Sequence, residues 1–192
     1  ASLIATAAQY GVPLALRLVN SHVASNIHQF GRMVNDANQL IAAATHFAGD
    51  ESQRQHLVRL LSAWDLGLKD VQVREMETAL PDGKKDRFWL PFGVHQAAGG
   101  QTFELPFPME SSGTQGAFML LHRLLPVLQS GGLAVIDEFE NDLHPHMLEP
   151  ILDLFASPVT NPLGGQLLFT CHAMEVLNLV HKSQVCLLYT SD

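Results

Sequence analysis

The clearest signal along the chain is a change of hydrophobic period. Over residues 1–48 apolar positions recur at helical spacing, as in Leu14 and Leu18 and again in Val34, Leu40 and Ile41. With a break at Gly11-Val12-Pro13, that stretch predicts two or three helices. Gly49-Asp50-Glu51-Ser52 then reads as a turn and the acidic start of a further helix, which runs through Leu57, Leu60 and Leu61 to Trp64. From Leu68 the period falls to two. Val71 and Val73 alternate with Gln72 and Arg74, Pro81-Asp82-Gly83 supplies a turn, and residues 88–90 and 102–105 read as further short strands. The expectation is an antiparallel meander with a mobile tip at Lys84, Lys85 and Asp86.

Beyond residue 106 helix and strand alternate. Phe118, Leu121, Leu124, Leu125 and Leu128 share one face of a helix from about Gly116 to Gln129, and the apolar run Leu133, Ala134, Val135, Ile136 follows as a buried strand. Pro145 suits the first position of a helix over 145–155, and Pro150, unable to donate to the His146 carbonyl, should distort its first turn. A strand over 166–170, a helix over 174–180 and a strand over 185–189 complete the alternation. This is the signature of an α/β fold with a mostly parallel sheet and flanking helices. The expected organisation is a helical region at 1–66, a β-rich insertion or arm at 67–106, and an α/β core at 107–192.

The candidate chemistry lies at the ends of these strands. The run 133–136 ends in two adjacent carboxylates, Asp137 and Glu138, as a Walker B strand does when it delivers acidic groups to the carboxyl edge of a sheet. In a nucleotide hydrolase the first would hold Mg²⁺ and the second would accept a proton from the attacking water. ESSGTQ at 110–115 puts hydroxyls and a glycine before a helix N-terminus, a natural anion site. The strand at 166–170 delivers His172 to the edge that carries Asp137 and Glu138. His144 and His146 beside Glu140 and Asp142 invite a metal reading, but alternate residues around a turn rarely converge on one ion. His22, His28 and His46 share no metal-ligand spacing. No G-x-x-x-x-G-K-[ST] loop is present: the sole Gly-Lys pair, Gly83-Lys84, has Thr78 in place of the first glycine and Lys85 in place of the hydroxyl.

Together ESSGT, DEFENDLHP and FTCH resemble the second half of an ABC-type ATPase head, as in SMC-like and overcoming-lysogenization-defect proteins and in ATPases of bacterial abortive-infection and other anti-phage systems. The resemblance is strong over residues 100–190 and looser before. It implies the C-terminal portion of a P-loop NTPase fold, with the Walker A segment upstream of residue 1. It also implies a signature motif (Ser112, Gly113, Thr114, Gln115) that meets ATP held by the opposite protomer, although Thr114 stands where the family has a second glycine. Further implications are a D-loop at 141–144 that includes His144, a switch histidine at His172, catalysis by Glu138 with His172, Mg²⁺ at Asp137, and ATP as cofactor. The implied partners are a second head in a homodimer and an effector, a nuclease or toxin, in anti-phage defence. Two rivals come from other classes: a metal-dependent hydrolase using Asp137, Glu138, His144, His146 and His172, and a catalytically silent interaction module.

Composition narrows the setting. With 47% hydrophobic and 16% charged residues the chain can build an ordinary core, and a net charge of −8 argues weakly against a general nucleic-acid-binding surface. Cys171 and Cys186 sit in apolar runs, which predicts two reduced, buried thiols. No apolar run approaches the ~20 residues that cross a bilayer, and no secretory leader is visible, so a cytoplasmic location is expected.

Overall fold

A computed structural model describes residues 3–64, 66–79, 84–97, 99–141 and 143–187. Two short helices, α1 (Leu3–Gln9) and α2 (Pro13–Asn20), flank the break at Gly11 and lead into a three-residue strand, β1 (Val23–Ser25). A small hairpin of β2 (Ile27–His28) and β3 (Gly31–Arg32) follows. These strands were not legible in the helical spacing of residues 1–48. They are too short for a period to register, and β1 gains its hydrogen bonds from distant sequence.

Helices α3 (Ala37–Gly49) and α4 (Glu51–Ala63) start where short acids cap them. Asp36 accepts the Gln39 N–H at 2.9 Å and Asp50 accepts the Gln53 N–H at 3.0 Å. The meander forms from β4 (Leu68–Ala79), β5 (Lys85–Gln96) and β6 (Thr102–Pro106), antiparallel throughout. Its strands are longer than the alternation predicts. Lys85 and Asp86, expected in a mobile tip, pair with Ala79 and Thr78 inside the ladder. The turn expected at Pro81-Asp82-Gly83 lies outside the described residues.

The longest helix, α5 (Ser112–Ser130), is the centre of the core. Its predicted apolar face is buried, and so are Ala117, Met119, Leu120 and Val127, which gives it neighbours on nearly every side. Phe118 packs between Phe47 of α3 and Phe107, with ring centroids 5.3 and 4.6 Å away. The helix stops at Gly131, whose left-handed φ of 70° lets the N–H groups of Gly131 and Gly132 both reach the Val127 carbonyl.

From there the chain enters β7 (Leu133–Ile136), which lies between β1 and β8 (Gln166–Phe169) in a three-stranded sheet, parallel on both sides. Ala24, Ala134 and Ile136 turn one face of the sheet into the core. The expected helix at 145–155 begins as a 3-10 turn, Pro145–Met147, before α6 (Leu148–Ala156). Pro150 therefore sits in the first turn of α6, where its missing N–H has no helical partner to lose. Met174–Asn178 is a 3-10 turn, shorter than the helix predicted there, and residues 185–187 form no strand. The remainder of that predicted strand, 188–189, lies outside the described residues. As a result Cys186 is exposed and Cys171 only half-buried, both as free thiols, which corrects the expectation of buried cysteines. Among the described residues no helix is long and apolar enough to cross a membrane.

Candidate functional site

Three parallel strands end at one edge, and each delivers a polar group. Past β1 comes Asn26, past β7 come Asp137 and Glu138, and past β8 come Thr170 and His172. Asn26 acts as one more strand residue made from a side chain. Its Nδ2 donates to the Asp137 carbonyl at 2.8 Å and its Oδ1 accepts the Asp137 N–H at 2.7 Å. On the other side Thr170 extends the ladder, donating its N–H to the Ile136 carbonyl at 3.0 Å and accepting the Phe139 N–H at 2.9 Å. Its hydroxyl donates to Asp137 Oδ1 at 2.6 Å and accepts the Glu138 N–H at 2.8 Å. The backbone of the acidic pair is thus held from both flanking strands.

Glu138 has a φ of 50°, the left-handed region that a non-glycine residue adopts only where its surroundings hold it. Its carboxylate accepts from Arg32 Nε at 3.1 Å and from Asn141 Nδ2 at 3.2 Å, both at Oε2. His172 presents an exposed ring, while its backbone N–H donates to Glu140 Oε1 at 2.8 Å. Burial pushes the Glu140 carboxyl up, but the N–H groups of His172 and of Glu140 itself, with the Cys171 thiol and the His172 ring, outweigh it and leave it below its ordinary value. The Cys171 thiol moves the other way, raised to about 11 by burial and then by the carboxylate beside it.

The second group of predicted residues surrounds the N-terminus of α5. Ser111 caps the helix, its hydroxyl accepting the Thr114 N–H at 3.1 Å. Ser112 is exposed at the first helical position, and Gly113 lies beside the loop after β7, where a Cβ would be in ordinary contact with the His144 nitrogen at 3.7 Å. Thr114 is buried, with its hydroxyl 2.8 Å from that of Ser111, and Gln115 donates its amide to the Glu110 carbonyl at 2.9 Å. Of the four expected signature residues Ser112 is exposed, Gly113 and Gln115 are half-buried and Thr114 is buried, so Ser112 is the most open of them. His144 is exposed and stacks on His146, ring centroids 4.9 Å apart.

Beside the acidic pair lies a cleft of about 30 Å³ lined by Asn26, Arg32, Gly116, Arg123, Glu138 and Asn141 among others, none of them an expected signature residue. That is room for water and not for a nucleotide. Among the described residues no group of three or more His, Cys, Asp or Glu stands close enough to hold a metal, which weighs against the metal-dependent hydrolase. Asp142, one of the acids beside His144, lies outside the described residues. Asn26 and Arg32 were missed from sequence and carried no signal there, whereas Glu140 was noted only beside His144 and His146, and Thr170 only as the residue before the Cys-His pair.

The family described as "AAA domain, putative AbiEii toxin, Type IV TA system" matches residues 17–178. The chain belongs to this AAA-domain family. The match runs from α2 to the turn at Met174–Asn178, so it includes every residue of both groups. An AAA domain is a P-loop nucleotide-binding ATPase domain, and an α/β architecture with a parallel sheet and flanking helices agrees with it. No curated protein matches the chain.

Proposed function

We propose that this chain supplies the second half of an ABC-type ATPase head, which binds ATP and Mg²⁺ and hydrolyses ATP when two heads pair around it. The observation that carries the proposal is the convergence of Asp137, Glu138 and His172 at one sheet edge, tied together through Thr170 and Glu140. When bound, ATP with Mg²⁺ supplies an electrophilic γ-phosphate already partly neutralised in charge. Asp137 has one carboxylate oxygen engaged by Thr170 and can turn the other to a hard cation that keeps most of its waters. Glu138 takes the proton of the attacking water, and the His172 ring donates a hydrogen bond toward phosphate oxygen. Ser112 and Gly113, at the positive end of α5 with His144 behind them, meet the nucleotide of the opposite protomer. The phosphate-cradling loop is not among these residues, and the proposal assigns it to a preceding segment of the full-length polypeptide.

The proposed setting is a cytoplasmic homodimer whose hydrolysis controls a partner effector, a nuclease or toxin, in anti-phage defence. The family's description, "putative AbiEii toxin, Type IV TA system", supports a toxin–antitoxin setting, and it names a toxin and not a regulator of one. The net charge of −8 gives no support to nucleic acid as the direct ligand of this segment. The deciding experiment is Glu138→Gln in the full-length protein. Turnover should fall ~10²–10⁴-fold, as for loss of a general base, while ATP still binds. Unimpaired turnover would leave the silent interaction module as the better account.

A further inference from the structure

A carboxylate that removes a proton from water must be held in one orientation, and a glutamate side chain has three rotors to fix. The main chain at Asp137 and Glu138 is fixed by Asn26 and Thr170, but neither touches the Glu138 carboxylate. Two donors do, Asn141 and Arg32. Asn141 belongs to the same loop as Glu138 and would move with it. Arg32 comes from a different element. It lies in β3, paired with Ile27 across a hairpin that turns at Gln29 and Phe30, and the hairpin is closed by the Met33 N–H donating to the Asn26 carbonyl at 2.7 Å. Asn26, which clamps Asp137, and Arg32, which holds Glu138, are therefore two points on one hairpin.

We infer that Arg32 is a positioning residue for hydrolysis, acting on the Glu138 carboxylate and not on the nucleotide, and that Asn26 anchors the hairpin that carries it. The inference rests on Glu138 being the general base. Arg32 and Asn141 both engage Oε2, so Oε1, which takes part in neither contact, is the oxygen that would receive the proton. The Arg32 and Glu138 side chains are 26% and 42% exposed. An ion pair this open contributes little to folding, so its consequence is orientation. Because the same hairpin grips the main chain at Asp137, a displacement of the hairpin moves the base and its support together.

The test is steady-state hydrolysis by the full-length ATPase. Arg32→Met should lower kcat by on the order of tenfold or more with KM for ATP unchanged, and Arg32→Lys should recover part of the loss. In a Glu138→Gln background Arg32→Met should cost nothing further, since the group through which it acts is already gone. Losses that multiply in the double variant, a raised KM at constant kcat, or full turnover in Arg32→Met would each overturn the inference. Should Arg32→Met fold poorly, Arg32→Gln carries the same comparison, and a loss of turnover that only follows loss of folded protein counts against it. Undiminished turnover in Glu138→Gln alone brings down the base assignment and this inference with it. Multiplying losses beside an impaired Glu138→Gln bring down this inference alone.

Discussion

The Thr170 hydroxyl donates to Asp137 Oδ1 at 2.6 Å, and its oxygen accepts the Glu138 N–H at 2.8 Å. One side chain just past β8 thereby fixes both acids that leave β7. A valine in its place keeps the branched shape and removes both bonds, leaving the Glu138 N–H without its partner. Thr170→Val should cost about 1–2 kcal/mol of stability, given that the residue is exposed and water can replace part of what is lost. It should also raise the Mg²⁺ concentration needed for half-maximal hydrolysis, because Asp137 is no longer oriented. Thr170→Ser should restore both. Thermal melts together with a Mg²⁺ titration of turnover provide the check, and an unchanged Mg²⁺ requirement in the valine variant would remove Thr170 from this role.

A different group governs how stability depends on pH. The His122 imidazole, on α5, faces His46 and Phe47 of α3 with ring centroids 5.0 and 6.0 Å away. Burial, then the charges of His46, Arg123 and His22, push its pKa down from 6.5 to about 4. In the unfolded chain the ring binds a proton near pH 6.5, so between that pH and about 4 the unfolded state holds more protons than the folded one. Stability is then full above about pH 6.5 and falls as pH drops toward 4. His122→Phe removes this linkage while keeping an aromatic ring among aromatic neighbours. Relative to wild type, the variant should therefore gain about 2 kcal/mol between about pH 7 and about pH 4.5. Urea midpoints at several pH values would show it; parallel curves for the two proteins would mean that His122 is not the group responsible.

Backbone crowding at Gly132 explains how a three-residue strand holds its place. A Cβ on Gly132 would lie 2.0 Å from the His22 carbonyl oxygen, the atom that accepts the Leu133 N–H at 2.9 Å and opens the β1–β7 ladder. The neighbour is main chain, so it cannot turn aside. Gly132→Ala should push β1 off β7, carry Asn26 away from Asp137, and cost roughly 3 kcal/mol. Chemical denaturation measures this, and a cost below about 0.5 kcal/mol, as for an ordinary surface change, would show that β1 docks without needing the glycine.

What the sequence disclosed and what it hid divide along physical lines. The strand at 133–136 and the helix behind it were legible because burial writes a local pattern: a continuous apolar run closed by two acids, and leucines at helical spacing. β1 was hidden because three residues have no period, and because its neighbour Asn26 acts through a side chain bonded to backbone 111 positions away. Arg32 was hidden for the same reason, since its partner is set by a hairpin and not by spacing. Thr114 looked like a ligand from its place in ESSGT. In the fold its short side chain is buried and its hydroxyl meets the capping Ser111, which is the usual competition between ligand binding and helix capping at an N-terminus.

The final prediction separates pairing of heads from chemistry. Ser112 stands exposed at the first position of α5, beside Gly113 and His144, and in the proposed pair of heads it is the residue that meets the opposite protomer's nucleotide. Ser112→Arg puts a long side chain there at little cost to the fold, since an exposed cation at a helix N-terminus is unfavourable by only about 0.3–1 kcal/mol. ATP binding to each head, which relies on the proposed P-loop segment, should survive, while ATP-dependent pairing and turnover should be lost. Glu138→Gln should do the reverse by keeping the heads paired around unhydrolysed ATP. In size-exclusion chromatography with Mg-ATP the glutamate variant should then elute as a stabilised assembly and the Glu138→Gln, Ser112→Arg double variant as separate heads. Where constitutive contacts elsewhere hold the dimer together, trapped ATP per head gives the same distinction. A double variant that still pairs and traps ATP would show that this corner does not close on nucleotide, and Ser112 would lose its assigned role while Glu138 kept its own.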